Sequence, residues 1–480
     1  MKKILIILVT IVVSTITANS QNEVDALRYS MYDIQGSARY SSMGGAFGSL
    51  GGEFSGISSN PAGIGMYQFS EISFTPCLNL NMTKSYYNNS HISSYKSTSD
   101  IGSLGLVMTM PKKESDWRRI NIGIGWNKLA DYNQNIKIEG VNENNSIVDR
   151  FIDLTQGSLM DELINGQGNT YSQMAWNTYL IDPLYENNQI IDGEYTSNLS
   201  SASRIQVKST ATNGGLHEFV LSLGGSYKDK LYIGATLGFP TIDYYEYTEY
   251  NEQLISDTSN NLRKMLFNEE ISAYGTGINL KIGAIYRLSE KIKIGGSFHT
   301  PTFYSIEEDY NTSITTFFRD STLDYSMGYL NPFNYDLITP LRASISTSAI
   351  LNNIIISGEY EIIDYSTAEY FTTNFEDENT IISSIYQKSE NIKLGAEMTI
   401  TPFVIRAGYS NHGSAFKEND FKVEKFSYGV GVNNGSYFVD IAYVLSQGSN
   451  QNILYHGGYV DPITIRNTNH SLLFTLGFRY

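Results

Sequence analysis

From Met66 onward, the chain is a succession of segments of about ten residues in which apolar and polar side chains alternate. One of the clearest has an apolar face formed by Ile392, Leu394, Ala396, Met398 and Ile400, opposite Lys393, Gly395, Glu397 and Thr399. Alternation with period two is typical of a β-strand, and about ten residues are what a tilted strand needs to cross a bilayer. The pattern therefore predicts strands whose apolar face points at lipid.

Short polar turns and long polar connections alternate between these segments, which is the asymmetry of barrels that span an outer membrane. A strand on each side of every short turn gives about fourteen strands, near residues 68–82, 100–111, 117–131, 214–227, 231–247, 270–286, 291–308, 335–350, 353–364, 390–400, 403–413, 424–432, 436–447 and 468–480. An even number lets an antiparallel barrel close with both ends on one side. The predicted fold is all-β, an antiparallel transmembrane β-barrel; a soluble β-sandwich or a two-domain β protein is the alternative architecture.

The last segment ends the chain on an aromatic residue. One of its faces is formed by Leu472, Phe474, Leu476, Phe478 and Tyr480. Such a terminal strand resembles the signal that barrel-assembly machinery reads, so this machinery is a predicted partner. The many tyrosines near strand ends fit an aromatic belt at the membrane interface.

The N-terminus reads as a secretory signal peptide over residues 1–20. Lys2 and Lys3 precede an apolar run from Ile4 to Val13, and the small residues Ala18-Asn19-Ser20 follow. No later stretch holds eighteen unbroken apolar residues, so we expect no helical membrane span. An exported chain with this strand pattern is predicted to reside in the cell outer membrane.

The stretch from Gly36 to Gly65 differs from all the rest, because it is rich in glycine and in small polar residues. It holds Met43-Gly44-Gly45-Ala46-Phe47 and, about fifteen residues later, the turn signal Asn60-Pro61-Ala62-Gly63. Such a segment buries too little apolar surface to fold alone, so it is ordered only inside a larger enclosure. The alternative is a flexible leader or linker.

These two motifs, in this order and spacing, resemble the start of the FadL family of outer-membrane transporters of long-chain fatty acids and other hydrophobic compounds. The resemblance implies a barrel of fourteen strands plugged by an N-terminal hatch, here residues 21–66, with the barrel over 67–480. It implies gating roles for Met43, Gly44, Gly45, Asn60, Pro61, Ala62 and Gly63.

The longest connection, about 132–213, is unusually apolar for a loop. We expect short helices at Met160–Leu163 and Tyr171–Leu180. A loop of this length is usually functional or packed on itself. Two interpretations stay open, a landing surface for a hydrophobic ligand and a self-packed lid; the ligand-contact candidates are Phe151, Leu154, Met160, Leu163, Met174, Trp176 and Leu180.

Catalytic and cofactor motifs are not apparent. The six histidines are scattered, and neither a GxSxG elbow nor a phosphate-binding loop is present. We therefore expect no enzyme activity, cofactor or metal site. Cys77 is the single cysteine, and the net charge of −16 argues against nucleic acid as a partner. Charged residues on lumen-facing positions are interpreted as a structural network that holds the wall and hatch, with an ion or solute pathway as the alternative.

The predicted function is passive transport of hydrophobic compounds such as long-chain fatty acids, gated by the hatch, with a hydrophobic small molecule or lipid as partner. The main alternative is a barrel that serves as a scaffold in protein secretion or surface attachment. A general diffusion porin is a weaker alternative, because a plugged lumen would conduct poorly.

Overall fold

The computed structural model describes residues 23–197, 199, 203–255, 261–327, 332–455 and 460–480. The predicted signal peptide lies outside these residues. Within them, no helix has the length and apolar character needed to cross a membrane.

Most of the chain forms long antiparallel strands. In chain order they are β1 Glu71–Tyr87, β2 Ser90–Pro111, β3 Trp117–Asp131, β4 Gln134–Asn142, β5 Asp182–Glu186, β6 Gln189–Thr196, β7 Arg204–Tyr227, β8 Leu231–Leu254, β9 Leu262–Arg287, β10 Ile292–His299, β11 Phe303–Phe318, β12 Thr322–Met327, β13 Phe333–Ile338, β14 Arg342–Leu351, β15 Ile354–Asp364, β16 Glu369–Tyr370, β17 Lys388–Ile400, β18 Phe403–His412, β19 Val423–Asn433, β20 Tyr437–Asn452 and β21 Ile463–Arg479.

Fourteen of these strands close into a barrel. Each pairs antiparallel with the next, in the order β1, β2, β3, β7, β8, β9, β10, β14, β15, β17, β18, β19, β20 and β21. Closure is made by β1 and β21, whose register runs from Glu71 opposite Arg479 to Ser85 opposite Ile465. The predicted fourteen-strand barrel is confirmed.

The observed strands match the predicted ones at the short-turn end and exceed them at the other end. β3 spans the predicted residues 117–131, whereas β7 begins at Arg204, ten residues before the expected start at 214. β4 pairs with this extension of β7. The long connection is therefore shorter than the expected 132–213, because strands occupy both of its ends.

Two predicted strands are each interrupted. β9 pairs with β10 near its end and with β11 over Leu262–Ile278, so β10 and β11 share one wall position on either side of Pro301. β13 and β14 share the next position on either side of Pro340. Proline has no N–H for a ladder, which explains why both strands break there.

The two faces of the wall have opposite chemistry. Outward residues are large and apolar along strand after strand, as in Ile392 and Leu394 of β17 and Val430 of β19. Lumen-facing residues between them include buried Lys393 and Glu397. This arrangement is the reverse of a soluble protein and is typical of a barrel wall in lipid.

The N-terminal segment, residues 23–66, lies inside the barrel. It contains helix α1 (Glu23–Ser30), helix α2 (Ala38–Ser42) and 3₁₀ turns at Ser55–Ser58 and Pro61–Met66. Ser37 begins α2 because its side chain accepts a hydrogen bond from the Tyr40 N–H. Glycines at positive φ, such as Gly44 and Gly45, let the chain reverse direction between these short elements.

The long connection folds into a small unit, here called the outer unit, that packs on the strand ends away from the short turns, for example on Phe267 of β9. Helices α3 (Ile147–Thr155), α4 (Met160–Ile164) and α5 (Thr170–Asn177) pack with the β5–β6 hairpin. The two expected short helices are confirmed as α4 and α5. A further helix, α6 (Glu376–Ile385), follows β16 and packs near α1.

Candidate functional site

The N-terminal segment packs against a set of glycines on the inner face of the wall, here called the glycine seat. A Cβ on Gly283 would lie 1.9 Å from the Oδ1 of Asn60, and one on Gly408 would lie 2.1 Å from the N of Gly44. Real Cβ contacts are not found below 3.0 Å. Similar close approaches occur at Gly105, Gly125, Gly224, Gly234, Gly295, Gly395 and Gly429. The wall therefore approaches the segment with bare backbone on several strands.

Asn60 connects the segment to two wall strands. Its side-chain oxygen accepts from the Ala62 N–H, and its Nδ2 donates to the carbonyl of Gly48 at 2.5 Å. The same Nδ2 lies 3.4 Å from the carbonyl oxygen of Ala284 and 3.3 Å from that of Gly296. The predicted Asn60–Gly63 motif thus forms a capped, buried turn that contacts β8, β9 and β10.

The other predicted motif lies on a different part of the wall. Met43 is fully buried, and the N–H of Gly44 donates to the Oγ of Ser427 at 3.2 Å. A Cβ on Gly395 would lie 2.5 Å from the carbonyl oxygen of Met43. The structure therefore places Met43–Gly45 against β17, β18 and β19, and does not bring the two motifs together at one point.

Ion pairs join the segment to the part of the lumen near the short turns. Arg39 of α2 makes two bonds to Glu397, of 2.8 Å from Nε and 3.0 Å from Nη2. Glu397 also accepts from Arg406 at 2.6 Å, and Arg406 donates to Asp440 at 2.6 Å. These lumen-facing charges are paired, in agreement with the structural network interpreted from the sequence.

Within the segment, one carboxylate holds the chain together. Glu53 accepts from the hydroxyl of Ser37 at 2.5 Å and from the Gly56 N–H at 2.7 Å. Burial raises the pKa of the Glu53 carboxyl above its ordinary value, an effect that these two hydrogen bonds oppose. The contact ties the start of α2 to the first 3₁₀ turn.

Two cavities lie on either side of α2. A cavity of about 570 Å³ opens toward the short turns and is lined by Arg39, Glu53, Glu397 and Arg479 among others. A smaller one of about 200 Å³ lies beyond α2. Both cavities are lined by residues of β18–β21, and α2 contributes Arg39 to the larger one and Tyr40 and Ser41 to the smaller one.

The wall is incomplete beside β2. This strand pairs with β3 only over Ser103–Pro111, and its residues 90–102 pair with β1 alone among the described strands. Side chains close the gap, since Lys128 donates to Asp100 at 2.6 Å. The N–H of Gln35 in turn donates to the Lys128 carbonyl at 3.0 Å. Further along the gap, Asn135 of β4 donates to the carbonyl of Tyr95 at 3.0 Å, so side chains take the place of a backbone ladder on this side of β2.

The ligand-contact candidates of the long connection form the interior of the outer unit. Phe151, Leu163, Met174 and Leu180 are at most 1% exposed, in one cluster with strand residues such as Phe267. Leu154, Met160 and Trp176 are partly buried. This packing matches the self-packed lid, and the ligand contact of these residues stays a prediction.

Among the described residues, no group of three or more His, Cys, Asp or Glu side chains is arranged to hold a metal ion. The candidate site is built from the contacts of the plugged lumen: the glycine seat, the ion pairs of α2 and the two cavities. Sequence patterns alone did not reveal which wall glycines meet which segment residues, because that depends on the register of distant strands.

The fold and this site define a closed β-barrel whose lumen is occupied by its own N-terminal segment. No protein-family model matches the chain, and no curated protein matches it. A solved structure of a Pseudomonas aeruginosa FadL homologue is similar, with a TM-score of 0.55 at 10% identity over 93% of this chain and 98% of that one. The P. putida toluene transporter TodX is similar with a TM-score of 0.52 at 11% identity, over 93% and 99% of the two chains. The expected resemblance to the FadL family is confirmed at the level of the fold.

Proposed function

We propose that this protein carries hydrophobic compounds across the outer membrane, and that its N-terminal segment is the hatch. The observation that carries the proposal is the glycine seat. The segment fills the lumen through backbone contacts, hydrogen bonds and ion pairs, without a disulfide, so it can leave its seat and return. The shared fold with a toluene transporter and a FadL homologue supports the cargo class.

The apolar outer face and the predicted signal peptide support an outer-membrane location. The cargo enters from the side of the long connections, and the 570 Å³ cavity at the short turns receives it. Long-chain fatty acids are one candidate cargo. Transport is passive in this proposal, and the gating step is movement of the segment as a unit, from α2 through the 3₁₀ turn at Ser55–Ser58, away from the wall.

A disulfide between the segment and the wall tests the gate. The Oγ atoms of Ser55 and Ser103 lie 3.2 Å apart, which suits a cysteine pair after a small adjustment. In a Cys77→Ala background, oxidised S55C/S103C is expected to take up radiolabelled dodecanol no faster than cells without the protein. Reduction should restore uptake.

The matched control joins two wall strands. The Oγ atoms of Ser297 on β10 and Ser344 on β14 lie 2.8 Å apart, so oxidised S297C/S344C should transport normally. Undiminished uptake through a fully cross-linked S55C/S103C protein would refute the hatch. Absence of uptake by the unmodified chain would refute transport and favour the secretion or attachment scaffold.

We further propose that barrel-assembly machinery reads the last strand. Phe474, Leu476 and Phe478 face outward on β21, and Tyr480 is 63% exposed at the chain end. Deletion of Tyr480 should slow insertion, measured as the folded, heat-modifiable fraction after a pulse of synthesis. Tyr437 is similarly exposed on β20, and Tyr437→Ala is the control. Equal insertion rates for the two variants would contradict the proposal.

A further inference from the structure

Arg28 of α1 lies among tyrosine rings, here called the aromatic cage, in the part of the lumen near the long connections. Its guanidinium carbon is 4.1 Å from the centre of the Tyr244 ring, and its Nη1 pairs with Asp25 one helical turn away. The rings of Tyr132 and Tyr244 meet edge to face at 5.6 Å, and Tyr29 adds a third ring 6.4 Å from each. A cation over an aromatic face is stabilised by the ring quadrupole, most strongly where water is scarce.

The wall supplies most of this cage without help from α1. Tyr132 follows β3, and Tyr244 lies on β8, where its hydroxyl donates to the carboxylate of Glu246. Nearby in the same apolar cluster, Tyr335 donates to the carboxylate of Glu308 at 3.0 Å. Removal of α1 would leave a space in the lumen, here called the chamber, lined by tyrosine rings and by the carboxylates to which their hydroxyls donate. Such a lining attracts a cationic group and repels an anionic one.

The fit of α1 in this chamber is imperfect. The hydroxyl of Tyr29 is buried and has no hydrogen-bond partner among the described residues. Burying a hydroxyl without a partner opposes the docking of α1. The guanidinium is thus the part of α1 that the chamber suits best, and it occupies the place that a cationic ligand would take.

We propose that this chamber binds the cationic group of the cargo, and that Arg28 fills the site when cargo is absent. The inference rests on the proposed transport function and adds a preferred class to its hydrophobic cargoes: an apolar molecule with an ammonium, amidinium or guanidinium group, favoured over a neutral or anionic one of the same length. Arrival of such a group displaces Arg28 and loosens α1. Only residues 31–37 separate α1 from α2, so in this proposal the loosening is passed along the chain to the gate.

Chemical rescue tests the cage without any transport assay. The full-length Arg28→Gly variant is expected to unfold at a lower temperature than the unmodified protein, and millimolar ethylguanidinium should raise its midpoint by several degrees. Ethylurea, a neutral molecule of similar shape, should not. Ethylguanidinium should leave the midpoint of the unmodified protein unchanged.

The companion variant separates the cage from the ion pair with Asp25. Rescue of Arg28→Gly should disappear when Tyr244 is also changed to leucine. Equal rescue with and without Tyr244, or equal rescue by ethylurea, would overturn the proposal.

Transport in the presence of intact Arg28 gives a second test that does not depend on the Arg28 variant folding. Protonated dodecylamine is expected to compete with labelled dodecanol about tenfold better than dodecanoate does, and Tyr244→Leu should remove this preference. If dodecanol crosses and the cation has no advantage, the cage proposal fails while transport stands. If neither crosses, the proposed function itself fails.

Discussion

Gly408→Val is expected to unseat the N-terminal segment while the barrel stays folded. A Cβ at this position would lie 2.1 Å from the N of Gly44 and 2.4 Å from the carbonyl carbon of Met43. Valine suits a strand, and the wall atom nearest to such a Cβ, Ser427 Oγ at 2.5 Å, belongs to a side chain that can rotate away. The segment meets the Cβ with main-chain atoms, so the segment must move. Overpacking of this kind costs about 1–3 kcal/mol, which raises the unseated fraction roughly fivefold to a hundredfold. The measurement is single-channel conductance in planar bilayers, together with the rate of proteolysis within residues 23–66.

Gly358→Val provides the control, because a Cβ there meets nothing closer than 3.5 Å, at Leu394 Cδ2. Its conductance should stay at the level of the unmodified protein. If Gly408→Val conducts and resists protease as the unmodified protein does, the segment is held by something other than the glycine seat. Heat-modifiable migration of both variants on gels checks that the barrel itself has formed.

The strands of the wall could be predicted because lipid on the outer face makes apolar and polar side chains alternate along every strand that crosses the membrane. All fourteen wall positions were found in this way. The strand ends beyond the membrane were missed for the same reason, since water on the outer face ends the alternation. In β8, for example, the outward positions near the strand end are polar: Glu249, Asn251 and Gln253. The alternation of apolar and polar residues that identified the strand therefore stops before Leu254, although Tyr250 is still buried.

The candidate site was only partly predictable. The motif Asn60-Pro61-Ala62-Gly63 identified a turn, yet its partners Gly234, Gly283 and Gly296 lie on three strands far along the chain. A glycine within a strand indicates a close approach without saying to what. The cage around Arg28 carries no local signal at all, because its rings come from residues 29, 132 and 244.

Glu218→Gln is expected to produce the largest loss of stability of any single change considered. Lys281 donates to the Glu218 carboxylate at 2.5 Å, and both side chains are fully buried. Ser58 of the N-terminal segment lies 3.4 Å from the same carboxylate, so the pair also supports the seat. Removal of one partner leaves an uncompensated buried charge, which costs about 3–5 kcal/mol. Reversible urea unfolding in detergent or lipid measures the loss.

A double variant distinguishes the charge from the packing. Glu218→Leu with Lys281→Met removes both charges, and its free energy of unfolding should return to within about 1.5 kcal/mol of the unmodified value, since apolar side chains of similar volume replace such pairs well. Asp420→Asn is the exposed control, because its pair with Lys422 is more than half exposed and should contribute less than about 1 kcal/mol. If Glu218→Gln costs no more than Asp420→Asn, the lumen around β7 and β9 is hydrated. In that case the tight fit inferred for the plugged barrel would not hold on this side of the wall.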